Sequence, residues 1–333
     1  MSRIAIIGAG SWGTALAITL ARGGTHQVRL WAHEAEVARS IAEHHVNRQY
    51  LPDCEVPANV EAGTNYECVL RDADIVLTVM PSHHVRRVAE QIKPYLHSRI
   101  PVVSATKGVE AGTHLRMTEV LTDVLATECI GALSGPSFAR EVAKGDPTAI
   151  TFATTQLGMA EQIQRELSGP TFRVYSSDDV IGVELGGALK NVIAIAAGIV
   201  EGLSLGHNTA AALITRGLAE ISRLAVACGA QRETLAGLSG MGDLVLTCTG
   251  GLSRNRSVGV ALGQGRKLSD IIAGMHGMVA EGVMTTDAAL GLASDKGIEM
   301  PITAQMHLIL HEGKDPRAAM RDLLMRPWKN ESA

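Results

Sequence analysis

The chain has 333 residues, enough for roughly two domains at about 150 residues each. Hydrophobic residues make up 46% and charged residues 19%, a balance that argues against disorder. The net charge is −4 and aromatic content is 3%, so neither a polyanion nor a base-stacking surface is called for.

Arg3–Ile7 reads as a short buried strand, followed by Gly8-Ala9-Gly10-Ser11-Trp12-Gly13 and a helical stretch over Trp12–Arg22. The apolar run Ile4 to Ala21, with Ala15-Leu16-Ala17, also mimics a secretion signal. An apolar signal core has no need of glycines at this spacing, so the segment is read as a strand, a turn and a helix. Gly8 permits the tight turn, Gly10 lets the backbone approach a pyrophosphate, and Gly13 lets the helix pack on the strand. The helix N-terminus then offers free N–H groups to phosphate.

Val28–Ala32 is the second strand, and it ends on Ala32-His33 with no acid to bind a ribose 2′-hydroxyl. Glu34 reads as a first-turn residue of the next helix, where an acid suits the helix dipole. His33, with Arg39 or Arg48 behind it, could approach a 2′-phosphate. NADPH is therefore expected to serve at least as well as NADH.

Further strands follow at Ile75–Val79, Val102–Ala105, Ile130–Leu133 and Thr148–Phe152, alternating with helical stretches at His84–Tyr95, Leu115–Ala126 and Leu157–Leu167. Near-continuous apolar strands in this alternation predict a parallel sheet covered on both faces. Ligands in such sheets bind beyond the carboxyl ends of the strands. Two strand ends there carry chemistry: Ser104-Ala105-Thr106-Lys107-Gly108 and Leu133-Ser134-Gly135-Pro136-Ser137-Phe138-Ala139. The pairs His44-His45 and His83-His84 do not share a helical face, and no metal site is expected. Cys54, Cys68, Cys129, Cys228 and Cys248 are odd in number and widely spaced, which suits a reducing cytoplasm better than a disulfide framework.

The rhythm changes at Ser176-Ser177-Asp178-Asp179, a helix-start sequence. Helices are expected at Val180–Leu203, Thr209–Cys228, Ser257–Leu262, Leu268–Ala273, Thr285–Ser294 and Ile302–His311. A last one opens on Asp315-Pro316 and stops by Pro327. Two domains are predicted, an α/β Rossmann-type domain over residues 1–178 and an all-α domain over 179–333. The longest apolar stretch of the second half, Val192 to Val200, falls short of the ~20 residues that span a bilayer, and no membrane insertion is expected.

Lys190 stands in the apolar stretch Val180–Leu203, and none of its helical-face neighbours (Val183, Gly186, Gly187, Ile193, Ala194, Ala197) is charged. Such a lysine snorkels to water, pairs with a carboxylate or faces a ligand. In the last case desolvation would lower its pKa and suit proton transfer. Asp243, in the glycine-rich loop Leu238–Leu244, could orient it. Ser253-Arg254-Asn255 precede a short helix, an arrangement suited to a phosphate, although taken alone the three residues read better as plain N-capping with an exposed arginine.

Together these motifs resemble the bacterial NAD(P)-dependent glycerol-3-phosphate dehydrogenases. The likeness runs from Gly8–Thr14 through Ala105–Gly108, Ser134–Ala139, Ala188–Val192, Gly240–Leu244 and Ser253–Asn255 to Val279-Ala280-Glu281-Gly282. It implies interconversion of dihydroxyacetone phosphate and sn-glycerol 3-phosphate, serving phospholipid synthesis, with the active site between two domains. Gly8, Gly10, Ser11, Trp12, Gly13, His33, Lys107, Ala139, Arg254, Val279 and Glu281 would touch the cofactor. Lys107, Gly135, Ser137, Lys190, Asp243, Ser253, Arg254 and Asn255 would line the substrate pocket. Lys190 would be the acid/base, supported by Asp243 and Lys107. The expected partner is a small molecule rather than nucleic acid, and a homodimer is the default assembly. Two rivals remain: a β-hydroxyacid or 6-phosphogluconate-type dehydrogenase on a similar frame, and a non-catalytic dinucleotide sensor. The sensor would need neither the lysine nor the Ser-Arg-Asn set.

Overall fold

Short aliphatic runs form the strands, and the loops that follow them form the site. The structure, a computed structural model, describes residues 2–24, 26–275, 280–328 and 330–331. The strands are β1 (Ser2–Ile7), β2 (His26–Trp31), β3 (Val46–Asn47), β4 (Leu51–Glu55), β5 (Val60–Gly63), β6 (Ile75–Thr78), β7 (Val102–Ser104), β8 (Ile130–Ser134), β9 (Thr148–Ala153) and β10 (Phe172–Ser177). Eight of them form one sheet in the order β10-β9-β8-β7-β6-β1-β2-β5, and β3 pairs with β4 as a small antiparallel ribbon.

The six strands from β5 to β8 are parallel and follow the dinucleotide-binding order, which reverses direction between β1 and β6. In sheets of this order the ligand crevice lies outside the carboxyl ends of the strands at that switch point. The expectation of a wholly parallel sheet is corrected at one edge. There β9 pairs antiparallel with β8, and β10 runs parallel to β9. Besides the β3–β4 ribbon, two strands of the main sheet escaped the sequence reading. β5 holds one buried residue in four, and β10 alternates buried and exposed positions at the sheet edge, so neither shows a continuous apolar run.

Helices cover both faces of the sheet, and two apolar clusters form, one on each side. From Val180 onward the described residues form helices and no strand. The helix Val180–Gly202 is the axis of this second half, with a separate core built around it. Its 23 residues are long and apolar enough to cross a membrane by length and composition alone. That corrects the shorter apolar stretch read from the sequence, because Glu184 and Lys190 interrupt the run without breaking the helix. Nearly all of the helix is buried inside the protein, so it is a core helix.

Glycines let its neighbours approach closely. A Cβ on Gly198 would fall 2.0 Å from the carbonyl oxygen of Arg256, and one on Gly259 would fall 1.9 Å from that of Ile195. This contact seats the helix Arg254–Gly263 directly against the axis.

Buried polar groups tie the halves together. Glu184 on the axis accepts hydrogen bonds from Arg116 (2.6 Å), from the Thr118 hydroxyl (2.5 Å) and from the Thr118 N–H (2.9 Å). Burial pushes its carboxyl pKa up, and Arg116 opposes that shift. Both groups lie out of water, so each needs the other.

Candidate active site

The glycine turn after β1 combines two crowded positions with one open one. Gly8 has φ +124°, and a Cβ there would lie 2.1 Å from the carbonyl oxygen of Val79, just after β6. A Cβ on Gly13 would lie 1.8 Å from the carbonyl oxygen of Gly8. Only glycine fits at these two positions. Gly10 differs, because among the described residues nothing lies within 4 Å of its missing Cβ. It precedes the helix Ser11–Ala21, and no side chain caps that N-terminus. The open side at Gly10 and the uncapped first-turn amides fit a pyrophosphate.

Sequence reasoning missed the residue that holds this turn. Asn47 is fully buried, and its Nδ2 donates to the Ala9 carbonyl and to Thr14 Oγ1, both at 2.8 Å. It lies on the β3–β4 ribbon, which carried no recognised signal. Trp12 packs against the first core, and its buried Nε1 has no partner among the described residues.

At the end of β2, Glu34 is the N-cap residue of the helix Ala35–His44, one position before the first turn where the sequence had put it. It makes no side-chain cap; its carboxylate accepts a 3.0 Å hydrogen bond from the Tyr50 hydroxyl instead. Burial, aided by Glu34, raises the Tyr50 pKa to about 12, so the phenol keeps its proton. His33, Arg39 and Arg48 are exposed nearby, with Arg39 loosely paired to Glu36 at 3.8 Å.

A second cluster joins the halves of the chain. Lys190 projects from the axis helix and is 6% exposed. Its Nζ donates to Asp243 Oδ1 at 2.5 Å and to Thr247 Oγ1 at 2.6 Å. Lys107, from the end of β7, donates to the other oxygen of the same carboxylate, Oδ2, at 2.6 Å and to the Gly135 carbonyl at 3.2 Å. Two ammonium groups thus share one carboxylate. Lys190 is therefore paired with a carboxylate. An ammonium has three N–H donors, and two of those on Lys190 are taken by the protein. Burial lowers the Lys190 pKa to about 8; Asp243 raises it against that effect, and Lys107 lowers it further. Neighbouring Cys248 is pushed up to about 12, chiefly by burial, and stays a thiol.

The segment read as a glycine-rich loop proves helical. Leu238–Gly242 is a single π-helical turn leading into the helix Asp243–Thr249, which sets Asp243 and Thr247 one turn apart on one face. Glycine alone concealed this, since Gly240 has no room for a Cβ, which would lie 2.1 Å from the Leu235 carbonyl oxygen. Gly187, beside Lys190 in the helix, is likewise a packing position, because a Cβ on it would lie 2.3 Å from Ser134 Oγ. Gly135, just after β8, has φ +143°, and Ser137 Oγ donates back to its carbonyl at 2.9 Å. Ala139 starts the next short helix and packs against the first core.

Ser253, Arg254 and Asn255 divide into three jobs. The helix begins at Arg254, three residues earlier than its sequence pattern suggested. Ser253 is its N-cap, with Oγ accepting from the Arg256 N–H at 3.2 Å. Asn255 is buried, donates to Asn191 Oδ1 at 2.9 Å and accepts from the Gly282 N–H at 3.0 Å. Arg254 alone keeps its guanidinium free of hydrogen bonds to the described residues. It is open to water yet stands between walls of protein, which lower its pKa while Glu281 acts the other way. Glu281 accepts from the Ser82 hydroxyl at 2.9 Å, and burial pushes its carboxyl pKa up. A Cβ on Gly108, next to Lys107, would lie 2.5 Å from Ser82 and 3.7 Å from Glu281, so the two clusters adjoin. Val279 lies outside the described residues.

Residues 3–160 match the family model for the NAD-dependent glycerol-3-phosphate dehydrogenase N-terminus, and residues 179–321 match that for its C-terminus. The chain belongs to the NAD-dependent glycerol-3-phosphate dehydrogenase family. It is 62% identical to a glycerol-3-phosphate dehydrogenase [NAD(P)+] of Koribacter versatilis, over 99% of both chains. A relative of the same name from Acidobacterium capsulatum is 55% identical, over 99% of this chain and 100% of that one. The crystal structure of glycerol-3-phosphate dehydrogenase from Coxiella burnetii superposes with a TM-score of 0.93 at 43% identity, covering 98% of this chain and 99% of that one. As a dehydrogenase of this family the chain is an oxidoreductase that uses NADH or NADPH, and the glycine turn fits that cofactor.

Gly10 offers a direct test of the cradle. Its φ of −67° and ψ of −179° suit any residue. Gly10→Val should fold normally yet bind NADPH at least about tenfold more weakly, read from nicotinamide fluorescence on titration. Unchanged affinity would place the pyrophosphate elsewhere.

Proposed function

We propose that the protein reduces dihydroxyacetone phosphate to sn-glycerol 3-phosphate, reversibly, with Lys190 moving the proton. The observation that carries this reading is the buried ammonium of Lys190, fixed by Asp243 and Thr247 and left with one donor to spare. When bound, a nicotinamide dinucleotide supplies the hydride. Negative charge then grows on the substrate oxygen, and the spare N–H of Lys190 meets it and delivers a proton. In the reverse direction Lys190 acts as the neutral amine and takes the hydroxyl proton. An ionisation near 8 keeps both forms accessible near neutral pH.

Asp243 and Thr247 aim the amine, so they position it rather than exchange protons with substrate. Lys107 supports Asp243 and, with Gly135 and Ser137, forms the substrate-side wall. Arg254, whose guanidinium has no hydrogen bond to the described residues, takes the phosphate, with Ser253 and Asn255 holding its helix start in place. Ser11, Trp12, Gly8, Gly10 and Gly13 cradle the cofactor, with Ala139, Arg254 and Glu281 further along it. His33 stands at the adenosine end. Tyr50 holds the Glu34 carboxylate there, and His33, Arg39 and Arg48 are exposed beside it, with Glu36 loosely paired to Arg39, which favours NADPH at least as much as NADH. The domains divide at residues 178 and 179. The enzyme acts in the cytoplasm, where its five free cysteines stay reduced, and supplies glycerol phosphate for phospholipids. A homodimer is the assembly we expect.

Mixing the protein with NADPH and dihydroxyacetone phosphate should discharge the nicotinamide absorbance. Lys190→Ala should lose ~10²–10⁴ of kcat. Asp243 keeps its Lys107 partner in that variant, so folding should survive. Near-normal turnover would remove Lys190 from the role. Arg254→Ala should chiefly raise KM for the phosphorylated ketone, because the guanidinium binds ground and transition states alike. An unchanged KM would move the phosphate site.

A further inference from the structure

The histidine pairs noticed in the sequence are neighbours along the chain. A different pair shares a helical face. His307 and His311 lie four residues apart on the helix Pro301–Glu312. Their rings stand 5.1 Å apart, both toward Asp287 on the neighbouring helix Glu281–Lys296. His307 Nδ1 lies 2.7 Å and His311 Nε2 3.3 Å from Asp287 Oδ1. One ligand atom from each residue falls within 4.8 Å of the others. From these positions we propose that Asp287, His307 and His311 form a binding site for a divalent transition-metal ion of the zinc class.

Zinc sits about 2.0–2.2 Å from imidazole nitrogen and carboxylate oxygen in tetrahedral sites. Ligand atoms of such a site are therefore about 3.4 Å apart. The His311–Asp287 separation already has that value, and the His307–Asp287 contact opens by about 0.7 Å as a metal replaces the shared proton. Two imidazoles and one carboxylate are a donor set for zinc, nickel or cobalt rather than for calcium or magnesium.

A second carboxylate makes the site more than a chance meeting of surface charges. His307 binds the metal through Nδ1 only when its ring proton is on Nε2. That nitrogen faces Glu312 Oε1 at 3.6 Å. A carboxylate behind a ligating histidine fixes the tautomer and strengthens the ligand. The side chains are partly open to solvent, so water completes the coordination. Bound metal would clamp the helix that begins at Glu281 onto its neighbour, in a place the proposed catalysis does not use.

The test uses the full-length protein stripped with chelator and titrated with Co2+. One equivalent should bind with visible d–d absorption and no sulfur charge-transfer band, since all three ligands lack sulfur. Zn2+ should compete for the site and raise the thermal midpoint. The double variant H307Q/H311Q should lose both effects while matching the wild-type midpoint in chelator. Glu312→Gln keeps the three ligands and should weaken binding roughly tenfold. Failure of wild-type protein to retain Co2+, equal binding by H307Q/H311Q, or a sulfur charge-transfer band marking cysteine as the ligand would overturn the proposal.

Discussion

A buried carboxylate held between two ammonium groups is the constraint on which the rest depends. Asp243 is 1% exposed and belongs to the helical half, while Lys107 comes from the end of a sheet strand. Neither charge could stay out of water alone, since removing one partner of a buried pair commonly costs about 3–5 kcal/mol. The shared carboxylate therefore docks the two halves and, by the same bonds, aims Lys190. The π-turn before Asp243 and the glycines that let Ser134 and Ser239 approach the axis helix serve this one placement. Stability and the proposed chemistry draw on the same group.

The cofactor side is governed by a different economy of space. Three glycines serve three purposes: Gly8 and Gly13 allow backbone to touch backbone, and Gly10 leaves room for a ligand. Asn47 closes the arrangement from behind, and Glu281 with Ser82 reaches across from the helical half. Crevice and lysine cluster meet at the Lys107–Gly108 segment, where a dinucleotide on the sheet would bring its reactive end to the substrate side.

Much of this was legible in the sequence because it follows from spacing. The glycine fingerprint, the strand–helix alternation and the change of rhythm near Ser176 each have a local cause, and their positions in the fold agree with the reading. What escaped depends on contacts between distant segments. Asn47 carries no motif, since its role exists only where the β3–β4 ribbon meets the glycine turn. Asp243 was recognised as a partner for Lys190, yet its helix was hidden by glycines that serve packing rather than a loop. Ser253 and Asn255 looked alike as phosphate ligands. Their hydrogen bonds instead make one a helix cap and the other a strut between Asn191 and Gly282, leaving Arg254 as the free group. The edge strands β5 and β10 were missed because half-buried strands lack a continuous apolar run.

The most direct test of the Asp243 arrangement is the pH profile of kcat/KM for ketone reduction, compared between wild type and Asp243→Asn. Burial lowers the Lys190 pKa to about 8, and the Asp243 carboxylate is the largest influence opposing that drop. Reduction needs the ammonium form, so wild-type activity should fall as pH rises through about 8. Without the carboxylate, Lys190 is desolvated and faces Lys107 unshielded, so the descending limb should move to lower pH. A limb that stays in place would contradict the claim that Asp243 sets the protonation of Lys190.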